Sequence, residues 1–345
     1  MAAAILTERL VDLLGGHRTT ATLCAAVELG VIDALASGKR TAAEIAVECA
    51  THEAASERLL AGLVGLEICR RCGGAHYALT EMGACLAKGA DKSLRDWALF
   101  EGKILSPTWL GLSDSIRSGK TATELAGLAG GRYAEIGRHA QSASMFDAAM
   151  VSMSRLVARD VLTAYDFGTA SRILDVGGGT GTLLIEILQN YPSASGSILD
   201  LSRCEPGAHR AITAAGLEAR ADYVVGDFFV ELPAGFDTLL LKSVLHNWDD
   251  ARCRTVLTNC RRALRDAGRL IIIERLLAID DEAPSRLAAT TMSDLNMLRG
   301  PGGRERSAAA YRELIADAGL TILDVHCAGR HALLIAASIE PRSEK

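Results

Sequence analysis

Two rhythms of apolar residues divide the chain. Up to about residue 165 they recur at helical spacing. Leu23, Ala26, Val27 and Val31 share one face over residues 17–30, with Gly30 placed to end the helix. Thr41 and Glu44 spell a capping box for a helix to about residue 50, and Leu59, Leu60, Leu63 and Val64 form the stripe of a longer one over 53–66. CRRCGGAHYALT then sets a Gly-Gly turn between two short segments able to pair as a hairpin. Helices followed by a hairpin have the outline of a winged helix-turn-helix. Beyond it Trp97, Phe100, Leu105, Trp109 and Leu112 supply apolar surface, and Phe146, Ala149, Met150 and Met153 line one face of a helix reaching about residue 164.

From Arg172 the rhythm changes. Short β-branched and leucine-rich runs at about 173–176, 197–201, 221–225, 236–242 and 269–274 alternate with helical stretches, the pattern of a doubly wound α/β domain. Asp249 or Asp250 is placed to cap a helix whose stripe is Val256, Leu257, Cys260 and Leu264. A helix over 311–318 and two strands, about 321–325 and 331–337, complete the expected sheet.

Composition narrows the function classes. At 345 residues the prior is two domains, with ample chain for a core. Over residues 1–100 there are 10 Lys/Arg against 12 Asp/Glu, so the winged outline lacks the basic face a DNA reader needs. The net charge of −5 gives no hint of nucleic acid or membrane as a partner. Nine scattered cysteines, an odd number, read as reduced cytoplasmic thiols. Cys69, Cys72, His76 and Cys85 contain one Cys-x-x-Cys half-site, but the remaining spacing matches no zinc pattern, so free cysteines around a turn are expected and no metal.

The chemistry gathers where strands should end. RILDVGGGTG runs from strand into a glycine turn, with Asp175 and then Gly177, Gly178, Gly179 and Gly181, and a helix begins at Thr182. Asp200 and Leu201 end the second strand, 21 residues past Gly179, the distance for an acid that bonds ribose hydroxyls. Gly226, Asp227, Phe228 and Phe229 follow the third, offering a carboxylate for an exocyclic amine and an aromatic face for a purine. Lys242, Ser243, His246 and Asn247 follow the fourth, and Glu274 ends the fifth. One polar group at each exit is costly for a core and natural for a crevice.

RILDVGGGTG, ILDL, VVGDFF, LLLKSVLHNWDD, LIIIER and GGRERS, in this order, resemble the S-adenosylmethionine-dependent O-methyltransferases that include the plant caffeate enzymes and bacterial antibiotic-tailoring enzymes. The resemblance implies a Rossmann-like class I domain with a seven-stranded sheet, its last strand antiparallel, behind a winged-helix dimerisation domain. It implies S-adenosyl-L-methionine at Asp175, the glycines, Asp200, Asp227, Phe228 and Lys242. It implies His246 as general base, flanked by Glu274 and Glu305, and an acceptor pocket near Met150, Asn247, Met292, Asn296 and Met297. Asn247 stands where the family often has Asp.

Three segments are expected: dimerisation over 1–95, a helical linker contributing to the acceptor pocket over 96–165, and catalysis over 166–345. The expected product is a homodimeric enzyme methylating a hydroxyl of an aromatic or polyketide-like molecule. The alternatives are the same cofactor site serving C- or N-methylation, hydroxylation or pericyclic chemistry, and, more remotely, a DNA-binding regulator.

Overall fold

A computed structural model describes residues 2–277 and 284–339. Two compact units divide them: one runs to Leu110 and includes Ala140–Met153, and the other holds Gly111–His139 and everything from Ser154.

In the front unit, helices Gly16–Glu28, Val31–Ala36, Ala42–Glu48 and Glu53–Gly65 enclose a core of Val27, Val31, Ile32, Ile45, Leu60 and Leu63. Gly30 takes φ +80°, which lets the first of these stop and the next begin at once. The capping box forms as read: Thr41 Oγ1 accepts from the Glu44 N–H, and the Glu44 carboxylate accepts from the Thr41 N–H. Strands β1 (Cys69–Cys72) and β2 (His76–Leu79) pair antiparallel, with Cys72 opposite His76, so the winged outline is present. Helix Arg95–Phe100 continues through a π-helical turn, Glu101–Leu105. There a Cβ on Gly102 would lie 2.5 Å from Cys24 Sγ, so only glycine allows the approach.

The stretch expected to be one linker is divided between the units. The 25-residue helix Ala140–Ala164 buries Phe146 and Ala149 from its first half, with Phe146 edge-on to Phe100 at 5.6 Å. Its second half sends Val157, Ala158 and Val161 into the core beneath the large sheet. Residues 111–139 join the second unit.

That unit is built on strands β3 (Arg172–Val176), β4 (Ser195–Asp200), β5 (Ala221–Val225), β6 (Phe236–Lys242), β7 (Leu264–Glu274), β8 (Leu320–Ala328) and β9 (His331–Ser338). Their order across the sheet is β5-β4-β3-β6-β7-β9-β8. All are parallel except β9, the last in the chain, which runs antiparallel between β7 and β8. Order reverses at β3, which has β4 on one side and β6 on the other, and such a point opens a crevice beyond the strand ends. One face packs on helices Asp250–Ala263 and Ala308–Asp317 through Val256, Leu257, Tyr311 and Ile315. The other packs on Thr182–Asn190 and Glu205–Ala214 through Leu184, Ile187, Ala208 and Ile212. Each fully buried leucine or isoleucine in these layers contributes about 1.5–3 kcal/mol.

Asp249 is the cap of the Asp250–Ala263 helix, its side chain accepting from the Arg252 N–H. Leu264, expected on the helix stripe, instead opens β7, which starts earlier than the expected residue 269. The register shift between Phe236 and Thr238 and the left-handed Ala267 let the strand begin before its apolar run.

Candidate active site

Beyond the carboxyl ends of β3 to β7 the expected residues converge. Gly177, Gly179 and Gly181 all take positive φ. A Cβ on Gly177 would press Val244 at 3.0 Å and Phe228 at 3.4 Å, and one on Gly181 would meet Ile198 at 2.1 Å. The turn is therefore packed tightly against its own surroundings at Gly177 and Gly181, while a Cβ on Gly179 would stand in open space, so the glycines form a cradle that opens over Gly179. The Gly179 N–H donates to Asp200 Oδ2 at 2.8 Å, and the Leu201 N–H donates to Oδ1 at 2.7 Å. The Asp200 carboxylate is thus aimed across the mouth of the turn. Asp227 Oδ1 accepts from the Phe229 N–H at 2.9 Å, and the Phe228 and Phe229 rings lie 4.8 Å apart. A Cβ on Gly226 would come within 3.2 Å of Leu199, so β5 also leaves the sheet closely packed.

Asp175 is buried beneath the turn, and its Oδ2 has no hydrogen-bond partner among the described residues. A Cβ on Gly178 would lie 2.6 Å from it. Burial pushes this carboxyl up to about 7, opposed by Lys242 and reinforced by Asp200. Burial also draws the Lys242 ammonium below its usual range, against the pull of Asp175 and Glu274. A buried orphan oxygen under an open glycine cradle fits a ligand that brings an ammonium group.

At the exit of β6, Ser243 takes φ +54°, a left-handed turn that throws Val244, Leu245 and His246 across the sheet. Their three N–H groups converge on Glu274 Oε1 at 3.0, 2.8 and 3.3 Å. The second Glu274 oxygen lies 3.4 Å from His246 Nδ1, and Glu305 Oε1 lies 3.2 Å from the same nitrogen. Two carboxylates against one ring nitrogen require that Nδ1 carry the proton, which leaves Nε2 as the lone-pair atom. Glu274 and Glu305 are 0% and 3% exposed.

Burial opposes a charged His246, but Glu274 and Glu305 outweigh it and hold the imidazole above its usual pKa. Burial raises the Glu274 carboxyl, while Glu305, gripped by His246, Ser293 and Arg275, is held low despite burial. Among the described residues these three form the grouping with metal-ligand spacing, every ligand atom within 4.8 Å of the others. Cys69, Cys72, His76 and Cys85 form no such grouping there, and their cysteines are free.

Several neighbours were given no role by the sequence reading. Ser293 Oγ donates to Glu305 Oε1 at 2.7 Å, and Asp294 accepts from the Glu305 N–H at 2.8 Å, so helix Pro284–Arg299 sets that carboxylate. Arg306, 2% exposed, donates to Leu245 O and Trp248 O and to Asp250, tying the histidine turn to the next helix. His331 is buried at the start of β9, and burial together with Arg275 and Lys242 lowers it to about 3, keeping it neutral. A single polar residue in an apolar strand was the signal for His331; Ser293 had none.

The pocket candidates are dispersed in character. Met292 is 51% exposed and Met297 is buried. Asn296 is half-buried on the same helix, and Met150 lies in the front unit. The Asn247 amide donates to Ser243 O and Val244 O, so it closes its own turn.

Residues 109–321 match the O-methyltransferase domain, and residues 11–89 match the O-methyltransferase dimerisation domain. The chain belongs to the O-methyltransferase family. It is an S-adenosylmethionine-dependent methyltransferase, and the glycine cradle and its acids suit that cofactor. The methyltransferase is 35% identical to the 2,7-dihydroxy-5-methyl-1-naphthoate 7-O-methyltransferase of Streptomyces carzinostaticus, over 94% of this chain and 95% of that one. It is 33% identical to the 8-amino-8-demethylriboflavin N,N-dimethyltransferase of Streptomyces davaonensis, over 95% and 93%. Its fold matches human N-acetylserotonin methyltransferase in complex with S-adenosylmethionine at a TM-score of 0.89, with 28% identity over 96% and 97%. Among its described residues no helix is long and apolar enough to cross a membrane.

Proposed function

We propose that this enzyme methylates a hydroxyl on an aromatic or polyketide-like small molecule, with His246 as general base, working as a homodimer through its front domain. The observation that carries the reading is the His246 imidazole held by Glu274 and Glu305 beside the glycine cradle. S-adenosylmethionine supplies a methyl group already activated on a sulfonium, so the protein must align an oxygen and remove its proton. A phenol ionises near pH 10, and few such molecules are anions at pH 7. Neutral Nε2 accepts that proton as the oxygen attacks, a contribution of about 10²- to 10⁴-fold. The two carboxylates keep the proton on Nδ1 and stabilise the imidazolium that forms. Fixing the approach of the oxygen adds to this.

Asp200 holds the ribose in this reading, Asp227 and Phe228 take the adenine, and Asp175 and Lys242 face the amino-acid end. Met292, Asn296 and Met297 shape the acceptor pocket in this reading. A nitrogen acceptor is the second reading, favoured by the relative named as a dimethyltransferase. Transfer of labelled methyl across phenols, enols and amines, with product regiochemistry, separates the two. His246→Ala should cut turnover on the preferred phenol at least about tenfold while cofactor affinity persists. Unchanged turnover would remove the histidine from the chemistry.

A further inference from the structure

Glu305 is held at two points by one helix, Pro284–Arg299. Ser293 Oγ donates to Glu305 Oε1 at 2.7 Å, and the Glu305 N–H donates to Asp294 Oδ1 at 2.8 Å. The oxygen that accepts from the serine is the one that stands 3.2 Å from His246 Nδ1. Glu305 Oε2 is buried and has no hydrogen-bond partner among the described residues. The hydroxyl and the imidazole therefore share a single atom of this carboxylate.

An oxygen shared in this way divides its charge between two donors. The hydroxyl contact draws electron density from Oε1 and leaves less for the Nδ1–H. It also fixes the direction of the carboxylate, because Ser293 sits within a helix. Without the hydroxyl, Oε1 would turn its whole charge on the imidazole, and the imidazolium would be favoured further. A base held charged to higher pH is out of use near neutrality. Ser293 also shares its helix face with Asn296 and Met297, three and four residues further on. The face that sets the carboxylate is thus the face given above to the acceptor pocket.

We propose that Ser293 is a positioning residue for the base: its hydroxyl fixes Glu305 against the imidazole and takes up part of the carboxylate's charge, so that His246 gives up its proton closer to neutral pH. The other charged and titratable groups facing the pair come from elsewhere. Glu274 ends β7 and Arg275 follows it, Lys242 ends β6, His331 opens β9, and Tyr311 stands on helix Ala308–Asp317. Asp294 is engaged with the Glu305 N–H, and Arg306 with Asp250. Ser293→Ala alters none of these charges, so a shifted titration reports the lost hydroxyl. Alanine is also the better helix former, so the variant keeps the helix.

The proposal rests on His246 as the base clamped by Glu274 and Glu305, and its test needs no acceptor. The full-length, ligand-free enzyme, labelled at histidine Cε1, would be titrated by NMR from about pH 5 to 9.5. Loss of one resonance in His246→Ala identifies the base among the eight histidines. Ser293→Ala should raise the His246 midpoint by about 0.5–1 pH unit, the opposite direction from Glu305→Gln. Ser293→Thr, which keeps the hydroxyl, should return it to within about 0.2 unit of the wild type. An unmoved or lowered midpoint in Ser293→Ala, with Glu305→Gln still lowering it, overturns the proposal. So does a Thr variant that behaves like the Ala one. An unmoved midpoint in Glu305→Gln refutes the carboxylate clamp itself, a different result from either.

Discussion

The proposed general base, His246, works as the neutral imidazole, and its surroundings favour the charged one. Glu274 and Glu305 raise its pKa above the usual value of about 6.5, so the neutral fraction grows with pH and kcat/KM should fall as pH drops through the raised pKa. Glu305→Gln removes one anion that holds it up. The acid limb of the profile should then move to lower pH while the plateau falls, measured as kcat/KM from about pH 5.5 to 9. An unmoved limb would mean that another group titrates. Asp175 works in the opposite sense. Its pKa is raised on folding from near 3.9 to about 7, so the folded protein binds the extra proton. Its penalty is absent at low pH and grows as pH rises from about 4 to 7. Asp175→Asn should therefore raise the Tm of the ligand-free enzyme at pH 8 by at least about 2 °C and weaken cofactor binding. A lower Tm would count against a desolvated carboxylate.

At the scale of elements, the site depends on a meeting of two loops far apart in sequence. The segment after helix Pro284–Arg299 passes against the backbone of the histidine turn, where a Cβ on Gly303 would lie 2.1 Å from His246 O and 2.4 Å from Asn247 C. Both obstacles are backbone and cannot swing aside. The bridge from Leu276 to Arg306 and the grip of Arg306 on Leu245 O and Trp248 O hold Glu305 at the imidazole. Gly303→Ala should displace that carboxylate, with turnover falling at least about tenfold and a loss of about 1–3 kcal/mol in denaturant unfolding. Normal turnover would show that the segment can retreat. Here GGRERS shows what it does: Gly303 admits the approach, Glu305 reaches His246, and Arg306 locks the turn.

At the scale of the molecule, the first helix, Ala2–Leu14, leaves Leu6, Leu10, Val11, Leu13 and Leu14 more than half exposed. A contiguous apolar face of this kind marks an interaction surface, and the dimerisation domain begins within it at residue 11. On the proposed homodimer, the double variant Leu10→Asp with Leu14→Asp should shift the population towards monomer in size-exclusion chromatography with light scattering. A dimer that survives would place the interface elsewhere in the front unit.

What the sequence determined by itself was everything written in short-range pattern. The capping box at Thr41, the left-handed Gly30, the strand rhythm from Arg172 and the acids at the strand exits follow from local stereochemistry and from the cost of burying charge. Tertiary structure alone decided the start of β7, which a bulge sets, and the division of residues 96–165, where the Ala140–Ala164 helix has apolar faces for two cores. It alone brought Ser293 and Arg306 to the histidine turn and set Tyr133 beside Trp248. Ser293 and Tyr133 sit in segments with no motif, and the partners of Arg306 and Tyr133 lie tens of residues away. Only the folded sheet makes such separations short.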